Sequence, residues 1–375
     1  MKILHTADWH LGKRLEHISR LEEQRLVLDE ICEIADREAV DAILIAGDLY
    51  DSPNPPIEAI ELFYQTLKRL TQNGRRPVIG IAGNHDAPDR IEAPDPLARA
   101  SGILLTGYPQ AEIRPFALET GLQVLRSAPG FAELKLPGQA APLRLILTPY
   151  ANEVRLRRFL GEGDKTAELR SLLQQHWTEL ADAYCDEAGV NVLMTHLFVT
   201  RQGTEGEELE DESERSILHV GGAPEMYAEL FPPKMNYVAL GHLHGLIRVQ
   251  TEPYPILYSS SPLCYSVKDR DKTKHVVIVE AEAGQPAAFR PVPLTRGKVA
   301  LQQRCGSVEE ALTWLTEHPD CLVELTVQTE AHLTAQDRKA LHDAHTGIVR
   351  LIPEFSNPDD LKFTSGKQID LSRNM

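Results

Sequence analysis

The chain has 375 residues, 42% of them hydrophobic and 25% charged, which is room for one large domain with its own core and a smaller one. Its net charge of −16 argues against a large nonspecific nucleic-acid surface, although a site rich in carboxylates loses charge once cations bind. No run is apolar and long enough to span a membrane, the N-terminus is no signal peptide, and the five scattered cysteines form no CxxC pair, so a cytoplasmic chain without disulfides or a thiolate zinc site is expected.

The first apolar run, "MKILHTA", has the length of a buried strand and is followed at once by Asp8 and His10. His5, inside the run, reads as a core histidine, and Trp9 as packing beside whatever Asp8 and His10 do. "SRLEEQRLVLDEICEIADREA" has helical periodicity; "VDAILIAG" is a second strand, ending in Asp48. "PIEAIELFYQTLKRLTQ" is again helical, with Leu62, Phe63, Leu67 and Leu70 as its core stripe, and "RPVIGIAG" is a strand ending in Asn84, His85 and Asp86. "LRLILTPY" and "VNVLMTH" are strands separated by a long helical stretch from Thr166, and the second of them ends in His196. The acidic run from Glu205 to Arg215 reads as a solvated loop. "NYVALGH" ends in His242, with His244 two residues on, and "KHVVIVEAEA" is the last strand of the series. Alternation of strand and helix indicates an α/β layered domain over residues 1–287. Prolines then cluster, and a strand-helix-strand-helix-strand reading suggests a small α+β domain over 288–355, with a polar, poorly ordered tail over 356–375.

Five strands thus deliver carboxylate, amide or imidazole groups at their carboxyl ends, the edge where α/β sheets bind ligands. Core packing gains nothing from so many costly polar groups unless something pairs with them. Two aspartates, an asparagine and several histidines, without cysteine, suit Mn²⁺, Fe²⁺ or Zn²⁺ bound by oxygen and nitrogen. They exceed the needs of one ion and suit two that share a carboxylate, clamp a phosphate and lower the pKa of a bound water. Lys13, Arg20 and Arg90 are candidates for phosphate contact or for ordinary surface and capping roles; "RLRR" (Arg155, Arg157, Arg158) and "KDRDKTK" (268–274) are further basic groups.

The motifs D-x-H, G-D, G-N-H-D, H and G-H-x-H, in this order over about residues 1–285, resemble the calcineurin-like metallophosphoesterases. Stretches such as "GNHDAPDRIEAPDPL", "TPYANEVRLR" and "YSSSPLCYS" are similar, within them, to the double-strand-break repair nucleases that work with a coiled-coil ATPase. That resemblance implies a sandwich of two mixed β-sheets flanked by helices, with a small C-terminal α+β cap. It implies one metal on Asp8, His10, Asp48 and His244, a second on Asp48, Asn84, His196 and His242, and Mn²⁺ as the ion. His85 would assist the leaving oxygen, with Asp86 orienting its ring. DNA duplex ends and hairpins would be the substrates, a coiled-coil ATPase the partner, and a homodimer the assembly. Relatives carry a further C-terminal segment that docks on the ATPase; here only a polar tail follows the cap, which puts unaided docking in question, and the role of Cys264 is left open. The competing readings are a phosphatase or cyclic-nucleotide phosphodiesterase on the same fold, and a scaffold without chemistry. "GDLYDSP" has Ser52 and Pro53 where phosphatases of this fold carry a phosphate-gripping arginine, and no ligand position is missing, so both are disfavoured.

Overall fold

The structure, a computed structural model, describes residues 1–203, 224–266, 272–330 and 332–355. The acidic run 205–215, residues 268–271 of the basic stretch and the tail 356–375 lie outside the described residues.

Strands β1 (Lys2–Thr6), β2 (Ala42–Ala46), β3 (Val78–Ile81) and β4 (Ile103–Thr106) pair in parallel. Parallel neighbours need crossovers, here helices α1 (Leu21–Arg37) and α2 (Ile57–Leu70). Such strands are covered on both faces, which is why "AILIA" of β2 is apolar throughout and wholly buried. Leu62, Phe63, Leu67 and Leu70 of α2 recur at helical spacing and fill the core under one face of this sheet.

The second sheet contains β5 (Gln123–Ala128), β6 (Phe131–Lys135), β7 (Leu143–Thr148), β8 (Val190–Thr195), β9 (Tyr237–Leu240), β10 (Leu246–Gln250) and β11 (Ile256–Ser259), in the order β10-β11-β9-β8-β7-β6-β5. Its centre, β7, β8, β9 and β11, is parallel, and its edges are antiparallel. Helix α3 (Lys165–Tyr184), capped by the Asp164 side chain, covers its outer face with Leu169, Leu173, Trp177 and Leu180. Strands β12 (His275–Glu280) and β13 (Ala288–Pro293) extend the first sheet antiparallel to β1, giving β13-β12-β1-β2-β3-β4. Ile3, Leu44 and Ile79 from one sheet meet Leu145, Val192, Met194 and Tyr237 from the other in a shared core. The mixed two-sheet sandwich flanked by helices is therefore what the chain forms.

Trp177 anchors α3: its indole N–H donates to Thr148 Oγ1 at 2.8 Å and its ring lies 4.8 Å from that of Phe231. Trp177→Ala removes a fully buried ring and orphans a hydroxyl, and is expected to cost about 3–5 kcal/mol. Urea unfolding followed by circular dichroism measures it, with Trp177→Phe recovering part of the loss.

Among the described residues a second compact unit holds Leu15–Ile18, Ser266, 298–330 and 332–355. It is a parallel sheet of β14 (Val299–Cys305), β15 (Cys321–Thr329) and β16 (Ile348–Phe355), crossed over by α4 (Val308–Glu317) and α5 (Ala335–Ala344). Ser307 and Thr334 cap the helices, Thr334 in a reciprocal capping box with Asp337. Val323, Leu325, Leu341 and Ile348 form its own core. The division falls between Gly297 and Lys298 and not at 287, because β13, assigned from sequence to the second domain, pairs along its length with β12 of the first sheet. Pro291 and Pro293 suggest a linker by composition, yet alternate prolines are tolerated on an edge strand, where every second N–H faces away from the ladder.

The remaining sequence expectations fall into place locally. All five cysteines are free, four of them buried. His5 is a core histidine whose ring nitrogens lie 2.8 Å from the Tyr237 hydroxyl and 3.1 Å from the Leu240 carbonyl. Among the described residues no helix is long and apolar enough to cross a membrane.

Candidate metal centre

Asp8 and His10 follow β1, Asp48 follows β2, Asn84 and His85 follow β3, His196 follows β8, and His242 and His244 follow β9. Since these strands run parallel within their sheets, the five loops gather at one edge of the sandwich. The turns are tight. Asp8, His10, Asp48 and His242 have φ of 56°, 44°, 47° and 109°, in the left-handed region that side chains rarely adopt. Glycines precede Asp48, Asn84 and His242 because nothing larger fits. A Cβ on Gly83 would overlap Asp48, and one on Gly241 would overlap the Ala46 carbonyl. Strained backbone of this kind persists only where surrounding bonds over-determine it. One such bond is the His242 N–H, which donates to both Asp8 carboxylate oxygens at 3.1 and 3.2 Å.

Two groups of ligand atoms result. Asp8, His10 and His244 offer atoms within 4.8 Å of one another, with the Nε2 atoms of His10 and His244 3.1 Å apart. Beside them, Asn84 Oδ1 lies 3.1 Å from His196 Nε2 and 3.1 Å from His242 Nδ1. Asp48 joins the groups: its Oδ2 is 3.5 Å from His10 Nε2 and 3.3 Å from His196 Nε2. The structure thus brings all seven sequence-assigned ligands together, with one carboxylate between the two sets. His196 donates its Nδ1–H to the Ala46 carbonyl at 2.8 Å, which fixes the tautomer and turns Nε2 inward. Buried polar atoms normally have partners, yet His242 Nε2 has no hydrogen bond.

The electrostatics favour cations. Burial pushes the Asp8 carboxyl well above the usual range, and the nearby Asp48 adds to this. Burial works to raise Asp48 too, but the His196 and His10 imidazoles hold it well below that range. Burial would lower His196, yet the Asp48 and Asp8 carboxylates hold it up at about 9, so without a cation a proton on His196 balances part of the charge. Burial keeps the other imidazoles neutral: His242 falls to about 3, His10 is lowered, and His244 falls well below the usual value. With cations in place of the protons that Asp8 and His196 otherwise hold, the carboxylates, imidazoles and amide oxygen make a donor set that fits two borderline divalent ions.

His85 lies over this edge, its ring 4.8 Å from that of His10 and a ring nitrogen within 4.8 Å of ligand atoms of His10 and Asp51. Its N–H donates to Asp48 Oδ1 at 2.9 Å and its ring Nδ1 to the Asp51 carbonyl at 2.9 Å, which leaves Nε2 free. The expected role of Asp86 is corrected here. Its carboxylate is buried and accepts the backbone N–H groups of Leu49, Tyr50 and Gly83 at 2.8–3.0 Å, so it clamps the two loops together, while a backbone carbonyl orients the His85 ring. Burial and the Asp48 charge push its carboxyl up to about 7, against those three donors.

Two further residues join the site without having been assigned to it from sequence. Asp51 stands 3.4 Å from His10 Nδ1 and 2.7 Å from Lys13 Nζ, in the stretch "GDLYDSP" whose informative feature by sequence is its missing arginine. Arg155, read from sequence only as one of a local basic group, is bound to the loop that carries Asn84 and His85. Its guanidinium donates to the carbonyls of Gly83 at 2.7 Å, Asp86 at 2.8 Å and Asn84 at 3.3 Å, and stacks 5.1 Å over Tyr150. Nothing in "RLRR" separates Arg155 from its neighbours except the tertiary contact. Arg155→Ala is expected to lower the cleavage rate about 100-fold, since a shift of the loop of about 1 Å displaces reacting groups by that measure. Arg155→Lys should not restore it, because a point-like ammonium cannot serve three carbonyls in one plane. Rates at saturating substrate, measured beside bound metal, decide this.

Of the phosphate-contact candidates, Arg20 is fully buried in a bidentate pair with Glu23 and donates to the Cys264 carbonyl, a structural role. Arg90 holds Pro53 and Asn54 at the surface. Trp9 is buried, donating to Thr6 and set edge-on to Phe63.

Residues 1–246 match the model of the calcineurin-like phosphoesterases. The chain is 36% identical over 362 residues to the SbcD component of nuclease SbcCD from Bacillus subtilis, covering 95% of this chain and 86% of that protein. It is 34% identical over 305 residues to the SbcD component of nuclease SbcCD from Rhodobacter capsulatus, covering 79% and 70% respectively. The glycine-led ligand loops that gather at one edge of the sandwich all lie within the matched residues, and the chain belongs to the calcineurin-like phosphoesterases and, among them, to the SbcD nuclease family.

Proposed function

We propose that this chain is a metal-dependent DNA nuclease that hydrolyses phosphodiesters with two ions, as the nuclease component of a complex with an SbcC-type coiled-coil ATPase. The observation that carries the two-ion reading is the Asp48 carboxylate, 3.5 Å from an imidazole of one ligand set and 3.3 Å from one of the other. In this reading Asp8, His10, Asp48 and His244 hold one ion, and Asp48, Asn84, His196 and His242 the other. Mn²⁺ is the ion proposed, by the oxygen and nitrogen donor set. When bound, the pair supplies a hydroxide near neutral pH and neutralises charge on the phosphate.

The chain's own residues do the rest. Asp48 sets the spacing of the two sets. His196, tied to Ala46, keeps its inward nitrogen in register, and Asp86 and Arg155 hold the Asn84–His85 loop against the Asp48 loop. His85, with Nδ1–H committed to the Asp51 carbonyl, turns Nε2 to the site, and in its doubly protonated form passes the Nε2 proton to the departing sugar oxygen, leaving the neutral ring. The substrates proposed are duplex ends, cut 3′ to 5′, and hairpins or single strands. We place the protein in the cytoplasm, where free thiols persist, and as a homodimer on the strength of the family resemblance.

The test is digestion of a 3′-labelled duplex and of a hairpin with Mn²⁺, beside hydrolysis of a phosphomonoester. Mn²⁺-dependent loss of label with the monoester intact supports the reading. Monoester hydrolysis with intact DNA would leave only the fold.

A further inference from the structure

Between β7 and α3 runs a segment whose anchors and exposed groups are sharply divided. Leu156 and Leu160 are buried in the core beneath it, whereas Val154 is 81% and Phe159 71% exposed. The segment is held in shape. The Asn152 side chain caps the turn Glu153–Leu156, Glu153 accepts the Leu160 N–H at 3.0 Å, and it pairs with Lys165 at 2.7 Å. Asp164 is engaged in capping α3, and Arg157 lies 4.9 Å over the Tyr108 ring. Arg158 is exposed and has no ion pair among the described residues; Glu162 is the carboxylate left uncommitted, beyond the turn at Gly161.

This segment is fixed to the metal centre. Arg155 grips the carbonyls of Gly83, Asn84 and Asp86, and Tyr150, under that guanidinium, lies 6.4 Å from the ring of His242. Phe159 follows Arg155 by four residues, within about 14 Å even if the chain were fully extended. An aromatic ring left 71% exposed, with the Lys165 ammonium 5.7 Å from its centre and Arg158, without an ion pair among the described residues, beside it, matches the composition of single-strand stacking platforms. There, rings take bases and arginines take the backbone.

We propose that Phe159 is a base-stacking platform for the unpaired or terminal nucleotide of a DNA strand entering the metal centre, with Arg158 contacting an adjacent phosphate. The proposal rests on the nuclease reading and goes beyond it in assigning the strand-end contact. Arg155 is then the link that keeps the platform and the His85 loop in one register.

The test uses the full-length chain with Mn²⁺ and an oligonucleotide duplex whose single-stranded 3′ end carries 2-aminopurine. Wild type should quench the fluorescence of the unpaired 2-aminopurine by stacking. Phe159→Ala should lose that quenching and raise KM for the substrate about tenfold or more, a larger effect than on kcat, and Phe159→Trp should restore both. Arg158→Ala should reduce the salt dependence of binding by about one phosphate contact. Wild-type quenching and KM retained in Phe159→Ala would overturn the proposal, as would a variant impaired only in binding the ATPase. A wild-type chain that left DNA intact would remove the nuclease reading and this proposal together, whereas wild-type cleavage unaffected by Phe159→Ala would remove this proposal alone.

Discussion

Asp48→Ala is expected to abolish detectable DNA cleavage and to lower bound Mn²⁺ from two equivalents to at most one weakly held ion. Asp48 stands between the two ligand sets: its Oδ2 approaches His10 at 3.5 Å and His196 at 3.3 Å, while its Oδ1 accepts the His85 N–H at 2.9 Å. Its loss removes the anionic bridge between two cations and the anchor of the His85 loop at once. Asp48→Asn separates these effects. The amide oxygen can keep the bond to the His85 N–H but cannot supply the charge that two ions share. Calorimetric titration with Mn²⁺ reads the stoichiometry, and thermal unfolding gives an independent check. A ligand at one hundred times its Kd stabilises the folded chain by about 2.7 kcal/mol, and both variants should forfeit most of that gain. Two equivalents of tightly bound metal in Asp48→Asn would refute the shared-carboxylate reading.

His85→Ala should behave differently: both ions stay bound and cleavage falls by about 10²–10⁴-fold, the usual contribution of a positioned acid or base. The contrast follows from the geometry. The polar bond from His85 to the metal sets is made by its backbone N–H, which alanine retains, and its ring, edge-on to that of His10 at 4.8 Å, is held by the Asp51 carbonyl. The loss should shrink on a substrate with a good leaving group, such as a nitrophenyl phosphodiester, because an oxygen that departs readily needs no proton. Equal losses on both substrates would indicate that the ring positions the phosphate and carries no proton. Either result can be read only with metal content measured in the same preparation, since a loss of ions would place His85 among the ligands.

Much of the site was legible because its chemistry is written locally. Each ligand follows an apolar run that can only be a strand, and the glycines of "AGD", "AGN" and "LGH" mark turns too tight for a side chain. The convergence of the candidate ligands at one edge, the layered α/β class and a second compact unit followed from that pattern. The edge strands were harder. Gln123–Ala128 and Leu246–Gln250 are half-exposed, and without a run of buried residues they carry no strong periodic signal. The domain boundary at 287 failed for a related reason, since prolines that look like a linker sit comfortably at a sheet edge.

By itself the sequence determined which residues could bind metal, because ligand type and the strand ending before it are properties of short segments. Only the tertiary structure decided what each supporting residue does. Arg20, Arg155 and Arg158 are equivalent as letters, yet one is buried against Glu23, one clasps the loop beneath His85, and one is exposed without an ion pair among the described residues. Asp86 and Asp51 likewise take parts that their letters do not announce: the first fastens backbone amides, and the second lends a carbonyl to His85 and a carboxylate to the neighbourhood of His10. A long or charged side chain takes its meaning from the groups it meets, and those come from strands and loops distant in sequence, brought together only when both sheets close over a common core.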